Sequence, residues 1–468
     1  MPDTTTAIAG SHDEFVWKTQ PAAARWVTRT IESFAERNPL IAKLAGQLRD
    51  FAGTRLVDWV DHFALDGEYA EGLVSELTNI GYQQHNDADK SVWCHPLGMF
   101  PPVIVSGGRT ALALRCDCVD AARLALPAVL GLRPVDAEQV IGARGGMYRH
   151  VVLDDRVNAE LWLIERHGYA GFGVISNTAE QIAAAAHHRE VFRNRERSFA
   201  TLEEGFQYTS KLIAAAADAV GTDWACDLFF EGERNYWQKR NRAGRVQHER
   251  QNRLGLGWAN HDHHTFRSSR AAFPHLIAIL EQMGFQCRER FYAGREAGWG
   301  AQVIEQPNAR VVIFADVDLS PEEVAGDFAH GTLREREELG TVGLWCELHG
   351  EAFLEAGMHH LECQFDFDAA REQLAKDGIE SMAPFTDFTY LRQAFTKGEV
   401  FPVSPQRIER LLNSGRITLE QAERFRKDGA IGSHLEILER NDGYKGFNQT
   451  GISEIITRTD PRKMVAGA

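Results

Sequence analysis

LVSELTNIGYQ, running from Leu73 to Gln83, recurs without a gap as LIAILEQMGFQ from Leu276 to Gln286, with four identical positions and mostly conservative exchanges elsewhere. Just upstream of the first block stands Trp59-Val60-Asp61-His62-Phe63, and upstream of the second Ala259-Asn260-His261-Asp262-His263. A second echo follows each block. Leu163-Ile164-Glu165-Arg166 leads into Gly168-Tyr169-Ala170-Gly171-Phe172, and Ile437-Leu438-Glu439-Arg440 leads into Gly443-Tyr444-Lys445-Gly446-Phe447. A repeat of this size sets the fold before any local reading, because it makes the chain two copies of one module.

Working outward, residues 1–55 read as an N-terminal helical segment with apolar positions at helical spacing (Trp26, Ile31, Phe34, Ile41, Leu44, Leu48), and residues 1–13 as a frayed lead. Residues 56–177 form the first module. A strand through Val57 and Trp59 to Leu65 precedes a helix that stops by Gly81, and a second strand–helix unit starts at Ala111. Residues 178–255 read as a helical linker, and 256–468 as the second module with a helical insertion at 383–430. In that insertion Ser404-Pro405 supplies an N-cap and a first-turn proline, Gly415 a stop, and Thr418 with Gln421 a capping box. The mixed local charge argues against reading this helix pair as a DNA-reading helix-turn-helix. The expected class is α+β, with strand–helix–strands units repeated four times.

Bulk composition narrows the function. At 468 residues, 44% apolar and 25% charged, the chain is long enough for two or three cores, and it holds no apolar run near the ~18 residues of a membrane span. A net charge of −15 argues against nucleic acid as a main partner. The basic stretch Arg234 to Arg253 reads as a solvated helix and linker. Seven cysteines, an odd number without a CxxC, suggest reduced thiols in a cytoplasmic protein. Whether the chain forms an oligomer is open at this level.

Chemistry concentrates in the second module. Side chains at i, i+2 and i+4 of a strand share a face. That puts His263, Thr265 and Arg267 together, then His360, Glu362 and Gln364, then His434 and Glu436. A half-solvated sheet alternates in the same way, so no single strand is decisive. The comparison between copies is. His62 matches His263, but no histidine matches His360 within Ala113–Asp117, Trp162 stands for Glu436, and Asp66 for Arg267. If the three faces line one cavity, His263, His360 and Glu436 form a two-histidine, one-carboxylate triad with open positions, as in non-haem Fe(II) oxygenases. Arg267 offers a planar fork for a carboxylate. Elsewhere, Glu347 and His349 read as an exposed strand, and His187-His188 as part of a solvated helix.

These motifs resemble the vicinal oxygen chelate superfamily, built from βαβββ units with curled mixed sheets around a metal cavity. Within it, they are similar to the 2-oxoadipate dioxygenase/decarboxylase (hydroxyglutarate synthase) family. Asp262-His263-His264-Thr265-Phe266-Arg267 resembles its N-H-x-x-F-R-like strand. His359-His360-Leu361-Glu362 resembles its N-H-L-T-like strand, and Glu436-Ile437-Leu438-Glu439-Arg440 its E-x-x-x-R-like strand. The resemblance implies Fe(II) on His263, His360 and Glu436, and a 2-oxo acid that is decarboxylated and hydroxylated with O₂. Arg267 and Thr265 are then substrate-binding candidates, and His434 and Arg440 catalytic ones. A ring-cleaving (extradiol or 4-hydroxyphenylpyruvate-type) dioxygenase and a non-catalytic binding protein of the same superfamily are the competing expectations.

Overall fold

The computed structural model describes residues 17–66, 70–87, 90–106, 108–448 and 460–462. The expected frayed lead, residues 1–13, lies outside them. Helices α1 (Pro21–Arg37) and α2 (Pro39–Ala52) come first. They are separated by Asn38, whose side chain caps the Leu40 N–H ahead of Pro39, and α2 ends at Gly53 with φ 63°.

The first module runs β1 (Val60–Asp66), α3 (Ala70–Asn79), β2 (Gln83–Asp87), β3 (Lys90–Cys94), β4 (Val103–Ser106), β5 (Ala111–Cys116), α4 (Val119–Leu130), β6 (Tyr148–Asp154), β7 (Glu160–Arg166). Its first strand starts later than expected because Leu56–Trp59 tighten into a 3₁₀ turn closed by Arg55 and Asp58. The linker is α5 (Ala179–Arg193), α6 (Leu202–Val220), α7 (Thr222–Arg240) and α8 (Arg242–Asn252). Capping boxes at Thr178/Gln181 and Thr201/Glu204 open the first two.

The second module begins β8 (His261–Arg267), α9 (Phe273–Gln282), β9 (Gln286–Tyr292), β10 (Trp299–Gln306), β11 (Val311–Asp318), α10 (Pro321–Val324), α11 (Thr341–His349), β12 (His360–Gln364), α12 (Phe367–Lys376). It closes with β13 (Thr386–Phe388), β14 (Leu391–Phe395), β15 (Glu399–Phe401), α13 (Pro405–Asn413), α14 (Leu419–Asp428) and β16 (Ala430–Arg440). The stretch 383–430, expected as a helical insertion, opens with strands, and its two helices lie within 405–428, where their caps were read. Glu347 and His349 lie on helix α11 rather than on an exposed strand, and His349 is buried.

Each module is one open mixed sheet, and the two orders correspond strand for strand. They are β2-β3-β4-β1-β5-β7-β6 and β9-β10-β11-β8-β12-β16-β14-β13, with β15 added beside β16. β1 pairs parallel with β4 and antiparallel with β5, as β8 does with β11 and β12. β5 runs parallel to β7, as β12 does to β16. Each sheet thus joins two βαβββ units through their first strands. In the first module's second unit the outer strand is reduced to the bridge between Ile141 and His150, where the second module has β13. The repeated blocks supply α3 and α9 and lead directly into β2 and β9. A buried cluster holds α1, α2 and the first sheet together, and a larger one joins the linker helices to the second sheet. Among the described residues no helix is long and apolar enough to cross a membrane, and the seven cysteines are unpaired.

Where the first sheet meets α7, His167 sits between Asp227 (2.9 Å) and Glu165 (3.2 Å). Burial opposes its charge, but the two carboxylates outweigh it and lift its pKa from 6.5 to about 10. A raised folded-state pKa gives stability that is complete below the unfolded value and lost as pH climbs through the folded one. Denaturant midpoints should therefore decline from about pH 6.5 to 10, and His167→Asn should flatten that part of the profile while lowering stability at pH 6.

Candidate metal centre

β8, β12 and β16 are neighbours, so the polar faces read from the sequence fall side by side. Register sets Glu362 opposite His263, His360 opposite Thr265, and Glu362 and His360 beside Glu436 and His434. The alternate residues Phe266, Leu361, Cys363, Leu435 and Ile437 turn into the apolar core behind. The result is a buried cluster of His263, His360, Glu362 and Glu436 whose ligand atoms lie within 4.8 Å of one another. His263 Nε2 is 2.5 Å from Glu362 Oε2, and His360 Nε2 is 3.0 Å from Glu436 Oε2. The Gln393 amide donates to Glu436 Oε1 at 3.0 Å, and Thr265 Oγ1 lies 2.7 Å from His360 Nε2.

The electrostatics of this cluster suit a cation. Burial lowers the pKa of both imidazoles, that of His360 to about 3 with help from Arg267. Neutral imidazole is the state that coordinates metal. Burial, and Glu436 beside it, push Glu362 well above the carboxylate range, while burial takes Glu436 to about 7. Two buried carboxylates against neutral rings lack a positive counter-charge in the cluster, and a divalent cation would supply it. The donor set, two imidazoles and two carboxylates, fits a borderline metal.

His263 is aimed from behind. Its Nδ1 lies 3.0 Å from Asp262 Oδ1. A carboxylate accepts, so the proton sits on Nδ1 and the Nε2 lone pair faces Glu362. Asp262 in turn receives two hydrogen bonds of 3.0 Å from Arg440, whose guanidinium lies 4.8 Å from the centre of the Phe447 ring and donates to Gly446 O. Burial alone would raise the Asp262 pKa, but Arg440 and His263 hold it low.

The first module carries the same clamp. Arg166 reaches Asp61 with bonds of 2.8 Å, Asp61 Oδ2 lies 2.7 Å from His62 Nδ1, and Arg166 covers Phe172 at 4.7 Å. In both copies the turn after the arginine needs a left-handed glycine, Gly168 or Gly443. The ligands are missing, however. By register Ala111 stands at the place of His360, Ala113 at Glu362 and Trp162 at Glu436, and the Trp162 and Phe172 rings pack around His62. The match for His360 is thus two residues earlier than Ala113, where the sequence reading began its search.

Arg267 and Thr265 lie on the same face as His263. The cavity over the cluster, about 60 Å³, is lined by Thr265, Asp316, Gln393 and six aromatic rings: Phe291, Trp299, Phe314, Phe385, Phe395 and Phe447. Arg267 is 3% exposed, and its Nε and Nη1 have no hydrogen-bond partner. Its nearest carboxylate, Asp316, is 4.0 Å away, and burial lifts that group to about 8, so it is predominantly neutral near pH 7. Arg267, Arg440 and His434 do not line this cavity. Arg440 is engaged by Asp262 and His434 Nδ1 by Thr396 O at 2.8 Å, which leaves His434 Nε2 buried and without a hydrogen-bond partner.

No protein-family model matches the chain, and no curated protein matches it. Among solved structures it is similar to a mutant of 4-hydroxymandelate synthase from Streptomyces coelicolor, at 10% identity over 87% of this chain and 99% of that one, TM-score 0.29. It is similar to methylmalonyl-CoA epimerase from Mycobacterium tuberculosis, at 13% identity over 39% and 88%, TM-score 0.23. It is also similar to YdcJ from Shigella flexneri, at 14% identity over 60% and 82%, TM-score 0.24. Likeness this distant carries no functional conclusion, which rests on the residues themselves.

Glu362 and Asp262 are the members the sequence reading passed over. Glu362 stood on the face already assigned to His360. Asp262 was signalled by the repeated Asp-His pair and the repeated arginine that closes each module. Asp262→Asn should cost about 10- to 100-fold in metal affinity, and about 3–5 kcal/mol of stability by leaving Arg440 buried and unpaired. Asp61→Asn should cost comparable stability and no metal affinity. Metal titration and urea unfolding of the two variants separate these effects.

Proposed function

We propose that the chain is a non-haem Fe(II)-dependent oxygenase that decarboxylates and hydroxylates a 2-oxo acid, 2-oxoadipate-like in having a distal carboxylate, with O₂. The observation that carries this reading is the pairing of a buried two-histidine, two-carboxylate cluster with a buried guanidinium, Arg267, whose Nε and Nη1 have no hydrogen-bond partner, on the same face of β8. His263, His360 and Glu436 would hold the iron. Such a three-residue face leaves room for both a chelating 2-oxo acid and O₂. When bound, the ion would supply O₂ activation and polarise the keto group.

The protein's own part is positioning and exclusion of water. Asp262 and Arg440 fix the His263 ring, and Gln393 orients the Glu436 carboxylate. Arg267 would take the distal carboxylate through two parallel hydrogen bonds. The aromatic walls keep the reacting end dry, which strengthens each of these contacts. The βαβββ pairing and the order of the site strands agree with the vicinal oxygen chelate resemblance.

The six rings of the cavity favour one second reading, a 4-hydroxyphenylpyruvate-type enzyme taking an aryl 2-oxo acid. O₂ uptake by anaerobically iron-loaded protein decides between them. Faster turnover of aliphatic dicarboxylic 2-oxo acids supports the first reading and faster turnover of arylpyruvates the second. Uptake with neither, nor with catechols, overturns both.

A further inference from the structure

The basic stretch that begins at Arg234 is not simply solvated. Arg234, on α7, is 8% exposed and faces a cavity of about 500 Å³ enclosed by the ends of β5 and β7, by α5, α7 and α8, and by the approach to β8. Seven arginines and five carboxylates line it, and most of them answer one another. Arg149 binds Asp120 and Glu165, Arg189 and Arg193 bind Glu231, Arg166 binds Asp61, and His167 bridges Glu165 and Asp227. Arg144 lies at the rim, 3.8 Å from Asp120.

Two cations are left over. Arg115, from the end of β5, has no hydrogen bond or ion pair among the described residues. Among the described residues Arg234 makes one side-chain hydrogen bond, from Nη1 to His264 Nε2 at 3.3 Å. The nearby Asp117 is occupied by the Trp258 N–H at 2.6 Å and is within ion-pairing distance of neither guanidinium. His261 lines the same cavity. His261 Nδ1 is 3.0 Å from Trp258 O, which fixes its proton there, and leaves Nε2 a bare lone pair, buried and without a partner. Asp117 and Asp227 act on both guanidiniums only from a distance, so an anion that pairs with them directly would be stabilised.

We propose that this cavity is a second ligand site, separate from the metal cluster, for a small oxyanion that also carries an O–H group: hydrogen phosphate or a hydroxycarboxylate. Arg115 and Arg234 take the anionic oxygens, and His261 Nε2 accepts the hydroxyl proton in a hydrogen bond. The site stands whatever reaction the metal cluster performs, since it shares no residue with it.

Calorimetric titration of the full chain with inorganic phosphate, L-malate and succinate tests this. One saturable site per chain for phosphate, for malate, or for both is expected, and the probe that binds identifies the source of the oxyanion. Succinate, which lacks the hydroxyl, should bind at least fivefold more weakly than malate if malate binds. Arg115→Gln and Arg234→Gln should each weaken binding tenfold or more, Asp117→Asn should tighten it, and His360→Ala should leave it unchanged. Arg115 is partly solvent-accessible, so its variant keeps the test open should Arg234→Gln fail to fold. No saturable binding of phosphate or malate, or binding indifferent to Arg115→Gln, overturns the site. Succinate binding as tightly as malate overturns the role of His261.

Discussion

Alanine at His263, His360 or Glu436 is expected to abolish retention of iron and all turnover, whereas His62→Ala leaves both near the starting level. The two sets of residues look alike in isolation: His62 and His263 are each buried, each bonded through Nδ1 to the preceding aspartate, and each crossed by a phenylalanine edge near 5 Å (5.1 and 5.2 Å). What differs is what the free Nε2 meets. His263 faces Glu362 with His360 and Glu436 in reach, while His62 faces rings. Metal affinity comes from several ligands converging, so loss of one from a set this small is not made up by the others. Metal content after anaerobic loading and desalting measures it. Glu362→Gln belongs in the same series. Retained iron and activity would leave the three-residue face as the ligand set. Loss of iron would make Glu362 a ligand too, and substrate and O₂ would then compete for the positions that remain. Equal loss of iron from His62→Ala would sink the assignment of a metal-free first module.

The second large effect is expected at Arg267. Arg267→Lys keeps the positive charge and removes the two-pronged geometry, so turnover of a dicarboxylic 2-oxo acid should fall about ten- to a hundredfold, from the roughly 1.5–3 kcal/mol of a charge-assisted hydrogen bond. Iron content should stay normal, because Arg267 is not among the cluster's ligand atoms. The buried position sharpens the expectation. Asp316, lifted by burial to about 8, is 4.0 Å away and makes no hydrogen bond to the guanidinium, so Arg267 keeps N–H groups free for a substrate carboxylate. A substrate whose distal end is an aromatic ring needs no such clamp, and normal turnover in Arg267→Lys would shift the reading to the arylpyruvate enzyme.

Much of the architecture was legible because the two modules annotate each other. The repeated blocks fall on α3 and α9, and strand alternation put His263, Thr265 and Arg267 on one face as the structure has them. What could not be read was adjacency. Nothing local says that β8, β12 and β16 are consecutive in the sheet, and without that Glu362 is one more acidic residue on a polar face. The helical reading of 383–430 failed for a related reason. Clear caps at Ser404 and Thr418 drew the whole stretch toward helix, whereas β13 and β14 owe their existence to pairing with each other and with β16, which is non-local. The basic run was misjudged because charge density says nothing about which way a helix faces. Strand alternation set His434 beside Glu436 and the family resemblance brought in Arg440, but which groups they bond, Thr396 and Asp262, could not be read from either.

The paired Asp–His–Arg clamps have a consequence for how this chain can have diverged. A homodimer must accept every substitution twice, at both symmetric sites. Fusing the copies lifts that restriction, so one copy can lose its reactive positions while the other keeps them. Removing a clamp residue from either copy strands a buried charge, so selection for folding alone retains it in both. On the face that carries His62 and His263 the differences between the copies include Arg267 against Asp66, His360 against Ala111, Glu362 against Ala113 and Glu436 against Trp162. The quiet copy serves as an internal control, separating what the protein needs in order to fold from what it needs in order to react.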